Sequence, residues 1–148
     1  MSIPLVIGYG NTLRRDDGAG IRAAELVRER LAGVDVLTVH ELQPDLAETV
    51  AARDTVMFLD ASTGAETLLC VRIDPDSQDE PVRSHSLTPP QLLALCRILF
   101  GRAPGDAYLV GIPADDFAFG ESLSVRTASF LDSCVALVDG LARQVSPL

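Results

Sequence analysis

Two adjacent carboxylates, Asp16 and Asp17, lie in the glycine-rich stretch Gly8-Tyr9-Gly10-Asn11-Thr12-Leu13-Arg14-Arg15-Asp16-Asp17-Gly18-Ala19-Gly20, between an apolar run and a helical pattern. A turn of this kind after a first strand usually cradles phosphate on the N–H groups of a helix start. Paired acids repel a phosphate, whereas carboxylate oxygens are good ligands for a cation. The stretch therefore reads as a metal or cation site rather than a nucleotide site. Two more groups of suitable chemistry follow: Asp60, directly after an apolar run, and His85, within Ser84-His85-Ser86. The other histidine, His40, precedes Glu41 and reads as a surface residue or a support behind the ligands.

The elements that must position these groups alternate between strand and helix patterns. Ile3–Gly8 is a first strand, apolar enough to be covered on both faces. A helix from Gly18 to Leu31 follows, with Ile21, Ala24, Val27 and Leu31 on one face, and Asp16 or Asp17 is placed to cap it. Val36–Val39 is a second strand, Pro44 opens a short helix, Thr55–Leu59 is a third strand ending at Asp60, and Leu68–Ile73 is a fourth. Asp74–Arg83 is polar with two prolines and reads as a loop. Thr88-Pro89-Pro90-Gln91 is a capping box with proline in the first helical turn; Leu92, Leu95 and Leu99 follow on one face, and Gly101 ends the helix. Ala107–Gly111 is a fifth strand, and a helix from Ser124 to Gln144 closes the chain. The expected architecture is one domain over residues 1–148, a three-layer α/β/α sandwich with a mostly parallel, roughly five-stranded sheet. In such sheets, sites form beyond the carboxyl ends of the strands. The turn that carries Asp16 and Asp17, together with Asp60 and His85, belongs to that rim, giving two carboxylates and one imidazole around a common point; three N/O ligands with open positions suit a metal that meets its substrate.

Composition removes several other chemistries. The chain has 148 residues, 47% of them hydrophobic, enough for one full core. A net charge of −9 argues against nucleic-acid and anionic-membrane partners. No apolar run is long enough to span a bilayer, and the N-terminus lacks the basic start of a signal peptide, so the cytoplasm is the expected location. All 12 basic residues are Arg. Without Lys there is no Walker-A loop, Schiff-base lysine or Ser-Lys pair. Cys70, Cys96 and Cys134 are scattered among apolar neighbours and read as buried free thiols.

Each candidate also has a purely structural reading. Asp17 serves a helix cap as well as it serves a ligand. Asp60 suits a strand-to-loop turn, and His85 suits an exposed loop.

The motifs, however, resemble those of the hydrogenase maturation endopeptidases. Gly8-Tyr9-Gly10-Asn11-Thr12-Leu13 with Asp16-Asp17-Gly18-Ala19-Gly20 is similar to that family's opening motif, G-x-G-N-x-L-x-x-D-[DE]-x-x-G. Val56-Met57-Phe58-Leu59-Asp60-Ala61 resembles its apolar strand ending in Asp-Ala, and Ser84-His85-Ser86-Leu87 its histidine segment. Val110-Gly111-Ile112-Pro113 and Gly120-Glu121-Ser122-Leu123-Ser124 resemble its C-terminal block. The resemblance implies an endopeptidase that removes a C-terminal extension from the nickel-loaded precursor of the nickel–iron hydrogenase large subunit. It also implies Asp17, Asp60 and His85 as catalytic metal ligands. The nickel would arrive with the precursor, and cadmium or another divalent ion would substitute in vitro. Two departures stand out: His40-Glu41-Leu42-Gln43 replaces an Asp-Gly-Gly-Thr loop common in the family, and Asp17 stands where several members have Glu. The rival reading is a non-enzymatic α/β signalling or phosphate-binding module. A receiver domain also places acids after strands one and three, but needs a lysine that this chain lacks.

Overall fold

The apolar runs at the N-terminus and after Asp54 become neighbouring central strands. In the computed structural model, which describes residues 2–77 and 86–144, β1 (Leu5–Tyr9) and β3 (Thr55–Thr63) pair in parallel. The five-stranded sheet has the order β2-β1-β3-β5-β4. β2 (Asp35–Val39) and β5 (Asp106–Ala114) run parallel to their neighbours, and β4 (Leu69–Ile73) closes one edge antiparallel to β5. Helices cover both faces, so the expected mostly parallel α/β/α sandwich is the fold.

Strand alternation divides the interior into two cores. Val6, Met57, Leu59 and Val110 pack towards α1 (Ala19–Arg30) and α5 (Leu131–Gln144). Leu5, Ile7, Val56 and Phe58 pack towards α2 (Ala47–Ala51) and α3 (Pro89–Phe100). Each of these side chains is essentially inaccessible to water, which for an aliphatic or aromatic group is worth roughly 1.5–3 kcal/mol.

Several local expectations shift. The inner face of α1 is Ala19, Ala23, Ala24 and Val27, while Ile21 and Leu31 are only half-buried. The cause is close approach: a Cβ on Gly20 would lie 2.1 Å from the Leu59 carbonyl oxygen, so small residues must face the sheet. Neither Asp16 nor Asp17 caps α1; both sit in a 3-10 turn, Arg15–Gly18, and Gly18 holds the cap position. The capping box of α3 forms as expected, with Gln91 N–H donating to Thr88 Oγ1 at 3.3 Å and Thr88 N–H to Gln91 Oε1 at 3.0 Å. Its buried stripe is Leu92, Leu93 and Cys96, leaving Leu99 57% exposed. A helix with apolar residues at nearly every position fits more than one stripe, and periodicity alone cannot choose between them. The last helix is interrupted: α4 (Val125–Ala128) precedes α5. Cys96 and Cys134 are buried, but Cys70 is exposed on the edge strand β4, correcting the expectation for that thiol. No described helix is long and apolar enough to cross a membrane.

Candidate functional site

Pairing between β3 and β5 continues beyond the apolar core, from Asp60↔Gly111 to Thr63↔Ala114. Asp60 therefore stands within β3 rather than at its end. It shares the face of Val56 and Phe58, and reaches the rim above the α2–α3 core. On β1, Leu5, Ile7 and Tyr9 share that same face. The β1–β3 register, in which Gly8 lies opposite Leu59, sets Tyr9 beside Asp60. The Tyr9 hydroxyl hydrogen-bonds the carboxyl of Asp60, and Ala61 N–H donates to Asp60 Oδ1 at 2.8 Å. Tyr9 is a site residue that composition did not reveal; the strand register carried the signal.

Asp17 approaches the same point from the turn after β1. Asn11 N–H donates to its Oδ2 at 2.8 Å, and Asp17 N–H donates to the Arg14 carbonyl at 3.0 Å. Gly10 makes this turn feasible. Its φ is +139°, and a Cβ there would lie 2.0 Å from the Asp17 carbonyl oxygen. Asp17 and Asp60 line one cleft of about 470 Å³ together with Tyr9, His40, Glu41 and Ser86. Burial pushes the Asp60 carboxyl up to about 7, and the like charge of Asp17 adds to the effect, outweighing the Tyr9 and Ala61 hydrogen bonds. A carboxyl titrating near neutrality serves as a proton donor or acceptor, and as a ligand once a cation displaces its proton.

The structure thus joins two of the expected residues. His85 lies outside the described residues; its sequence neighbour Ser86 lines the cleft. His40 and Glu41 stand on the cleft wall, in the loop that follows β2. Among the described residues no group of three His, Cys, Asp or Glu is arranged to hold a metal. The donor set that is present, two carboxylates with oxygens to spare in one cleft, suits a hard or borderline divalent ion as a partial site.

Asp16 has a different task. It is fully buried, and its Oδ1 accepts Ser124 N–H at 2.7 Å. Its Oδ2 accepts Asp115 N–H at 3.0 Å, Asp116 N–H at 2.9 Å and the Ser124 hydroxyl at 2.8 Å. Burial alone would raise its pKa, but the four donors outweigh it and hold the carboxyl well below the usual range. The side chain staples the loop after β5 to the turn after β1. Arg15, at φ +43°, reinforces the staple: its N–H donates to the Gly120 carbonyl at 2.9 Å and its guanidinium pairs with Asp116. Asp16 is thus a loop anchor, as its neighbour becomes free to face the cleft.

Comparison with solved structures identifies the fold. HybD from E. coli superposes with a TM-score of 0.73 at 23% identity, over 97% of this chain and 93% of its own. HycI from Thermococcus kodakarensis KOD1, a [NiFe] hydrogenase maturation protease, gives 0.74 at 24%, over 95% and 92%. HybD from Thermococcus kodakarensis, another such protease, gives 0.72 at 22%, over 95% and 99%. The fold is that of the hydrogenase maturation endopeptidases. No protein-family model and no curated protein matches the chain by sequence. The antiparallel edge strand of this maturation-endopeptidase fold departs from the parallel 2-1-3-4-5 order of receiver-like sheets, so the signalling alternative loses its architecture as well as its lysine.

Proposed function

We propose that the chain is an endopeptidase of hydrogenase maturation, acting in the cytoplasm on the nickel-loaded large-subunit precursor and removing its C-terminal extension. One observation carries the reading: in a maturation-endopeptidase fold, Asp17 and Asp60 face a single cleft from two different elements. Asp17 and Asp60, with His85 as the third member, are the proposed ligands of the precursor's nickel. A divalent ion held there supplies Lewis acidity to a scissile carbonyl or to a water. The remaining contributions belong to the chain. Asp60 holds a proton near neutral pH while no cation is bound and would release it on binding the ion; Tyr9 orients its carboxyl, and the Gly10 turn fixes Asp17 at the rim. The sequence has no Ser-His or Cys-His pairing at a recognisable spacing and no H-E-x-x-H motif, the patterns of a self-sufficient protease.

The test is incubation with purified precursor, nickel-loaded or metal-free, with loss of the extension followed by intact mass. Wild type is expected to trim the loaded form only, and Asp17→Asn or Asp60→Asn to abolish trimming without unfolding. Unchanged trimming by either variant would refute the assignment.

A further inference from the structure

Among the described residues, every arginine except Arg14 and Arg28 is ion-paired with a carboxylate. Arg28 donates to the Val36 carbonyl at the start of β2. Arg14 stands at the rim, where it lines a cavity of about 370 Å³ with Asp17, Thr63 and Phe117. Its Nε donates to the Phe117 carbonyl at 3.2 Å, which anchors the stem and, among the described residues, leaves the guanidinium without a carboxylate partner. In a chain of net charge −9 whose neighbouring arginine, Arg15, is already neutralised by Asp116, this is an unusual cation. Asp17 also lines the cleft that holds Asp60, so the two cavities meet at one carboxylate. A peptide lying across the rim would pass from one to the other.

We propose that Arg14, assisted by the Thr63 hydroxyl, is a specificity subsite for a carboxylate of the extended peptide being cleaved. That carboxylate is either an acidic side chain of the tail or the tail's free C-terminus. The inference rests on the endopeptidase reading and adds what the enzyme reads in its substrate. The planar guanidinium matches a carboxylate through two parallel N–H donors, which a lysine cannot reproduce. The Phe117 backbone holds the fork in place before binding. Asp17, which lines the same cavity and the cleft of Asp60, repels an acid and so sets the register: the acid lodges against Arg14 while the peptide bond stays over Asp17 and Asp60.

The experiment measures kcat and KM on the nickel-loaded large-subunit precursor of the same organism, made in three forms. One has the native tail, one has every tail Asp and Glu changed to its amide, and one carries a C-terminal amide introduced by ligation. The enzymes are wild type, Arg14→Gln and Arg14→Lys. Arg14 is exposed, and Gln keeps an N–H donor for the Phe117 carbonyl, so folding is expected to survive; thermal unfolding verifies it. Arg14→Gln should raise KM roughly tenfold on the native tail with kcat nearly unchanged, the scale of one charge-assisted contact at an exposed site. Arg14→Lys should recover part of the loss. The tail form that lacks the recognised carboxylate should raise KM equally in wild type and add nothing in Arg14→Gln, which also tells the side-chain source from the terminal one. An unchanged KM in Arg14→Gln, or losses that simply multiply for both neutral tails, would overturn the subsite while leaving the endopeptidase reading intact. Failure of wild type to trim the loaded precursor at all would overturn both.

Discussion

Asp16→Asn replaces one carboxylate oxygen with an amide at a buried side chain that accepts four hydrogen bonds. Asparagine is often a good substitute for aspartate where one capping oxygen is needed, and from the sequence alone a small cost is the natural expectation. The geometry contradicts that. If the amide oxygen takes the position shared by Asp115 N–H, Asp116 N–H and the Ser124 hydroxyl, the amide nitrogen faces Ser124 N–H, donor against donor. The alternative flip sets the amide nitrogen against two fixed donors, Asp115 N–H and Asp116 N–H. In the better flip one charge-assisted bond is lost, a buried donor is left unmet and the other bonds lose their charge, together about 3 kcal/mol. For a domain of this length that corresponds to a fall in Tm of about 6–12 °C. Urea and thermal unfolding at pH 7 measure it, with Asp17→Asn as the comparison because Asp17 is only partly buried. The pH dependence has a definite sign. Because the folded-state pKa of Asp16 is depressed, its contribution is fully present above the ordinary Asp pKa and is lost as pH falls through the folded value. The gap between wild type and variant should therefore narrow in acid. An Asn variant within about 0.5 kcal/mol of wild type, or a gap that widens on acidification, would refute the staple.

For Asp60 the linkage runs the other way: with its carboxyl pushed up to about 7, the folded chain keeps a proton the unfolded chain has lost, so stability falls as pH rises from about 4 to about 7 and levels off beyond. Asp60→Asn should remove that slope, worth up to about 4 kcal/mol, in unfolding curves taken across the range; parallel profiles for the two proteins would refute it. Gly10→Ala should destabilise strongly and abolish trimming, since the new Cβ meets the Asp17 carbonyl at 2.0 Å. Gly33→Ala, with φ +79° but open space around it, should cost only about 1–2 kcal/mol for the left-handed backbone. Cys70→Ser should leave stability and trimming unchanged, and a thiol reagent should label Cys70 first without inhibition, because Cys96 and Cys134 are buried.

The order of strands and helices was legible in the chain because β1, β3 and β5 are covered on both faces and their apolar runs are continuous. The capping box of α3 was legible for a similar reason: Thr88 and Gln91 act on their own helix, three residues apart. Legibility ended where contacts are distant in sequence. Asp16 looked like a helix cap because its partners, Asp115, Asp116 and Ser124, lie about a hundred residues away and only the sheet brings them together. Tyr9 belonged to a glycine motif until the register with β3 set it against Asp60. That Asp17 and Asp60 line one cleft follows from the chain order of the strands, since topology decides which strand ends share an edge. Leu99 and Cys70 were misplaced because an all-apolar helix face and an edge strand expose residues that hydropathy would bury.

If Asp17 and Asp60 act together on a metal-bearing precursor, the fate of the C-terminal extension depends on both carboxylates and on the metal. Wild type, Asp17→Asn and Asp60→Asn are incubated with nickel-loaded and metal-free large-subunit precursor, and the C-terminal extension is followed by intact mass. Rapid loss of the extension is expected only for wild type with the loaded precursor, and an intact extension in every other combination. Trimming of the metal-free precursor at a comparable rate, or by either variant, would contradict it.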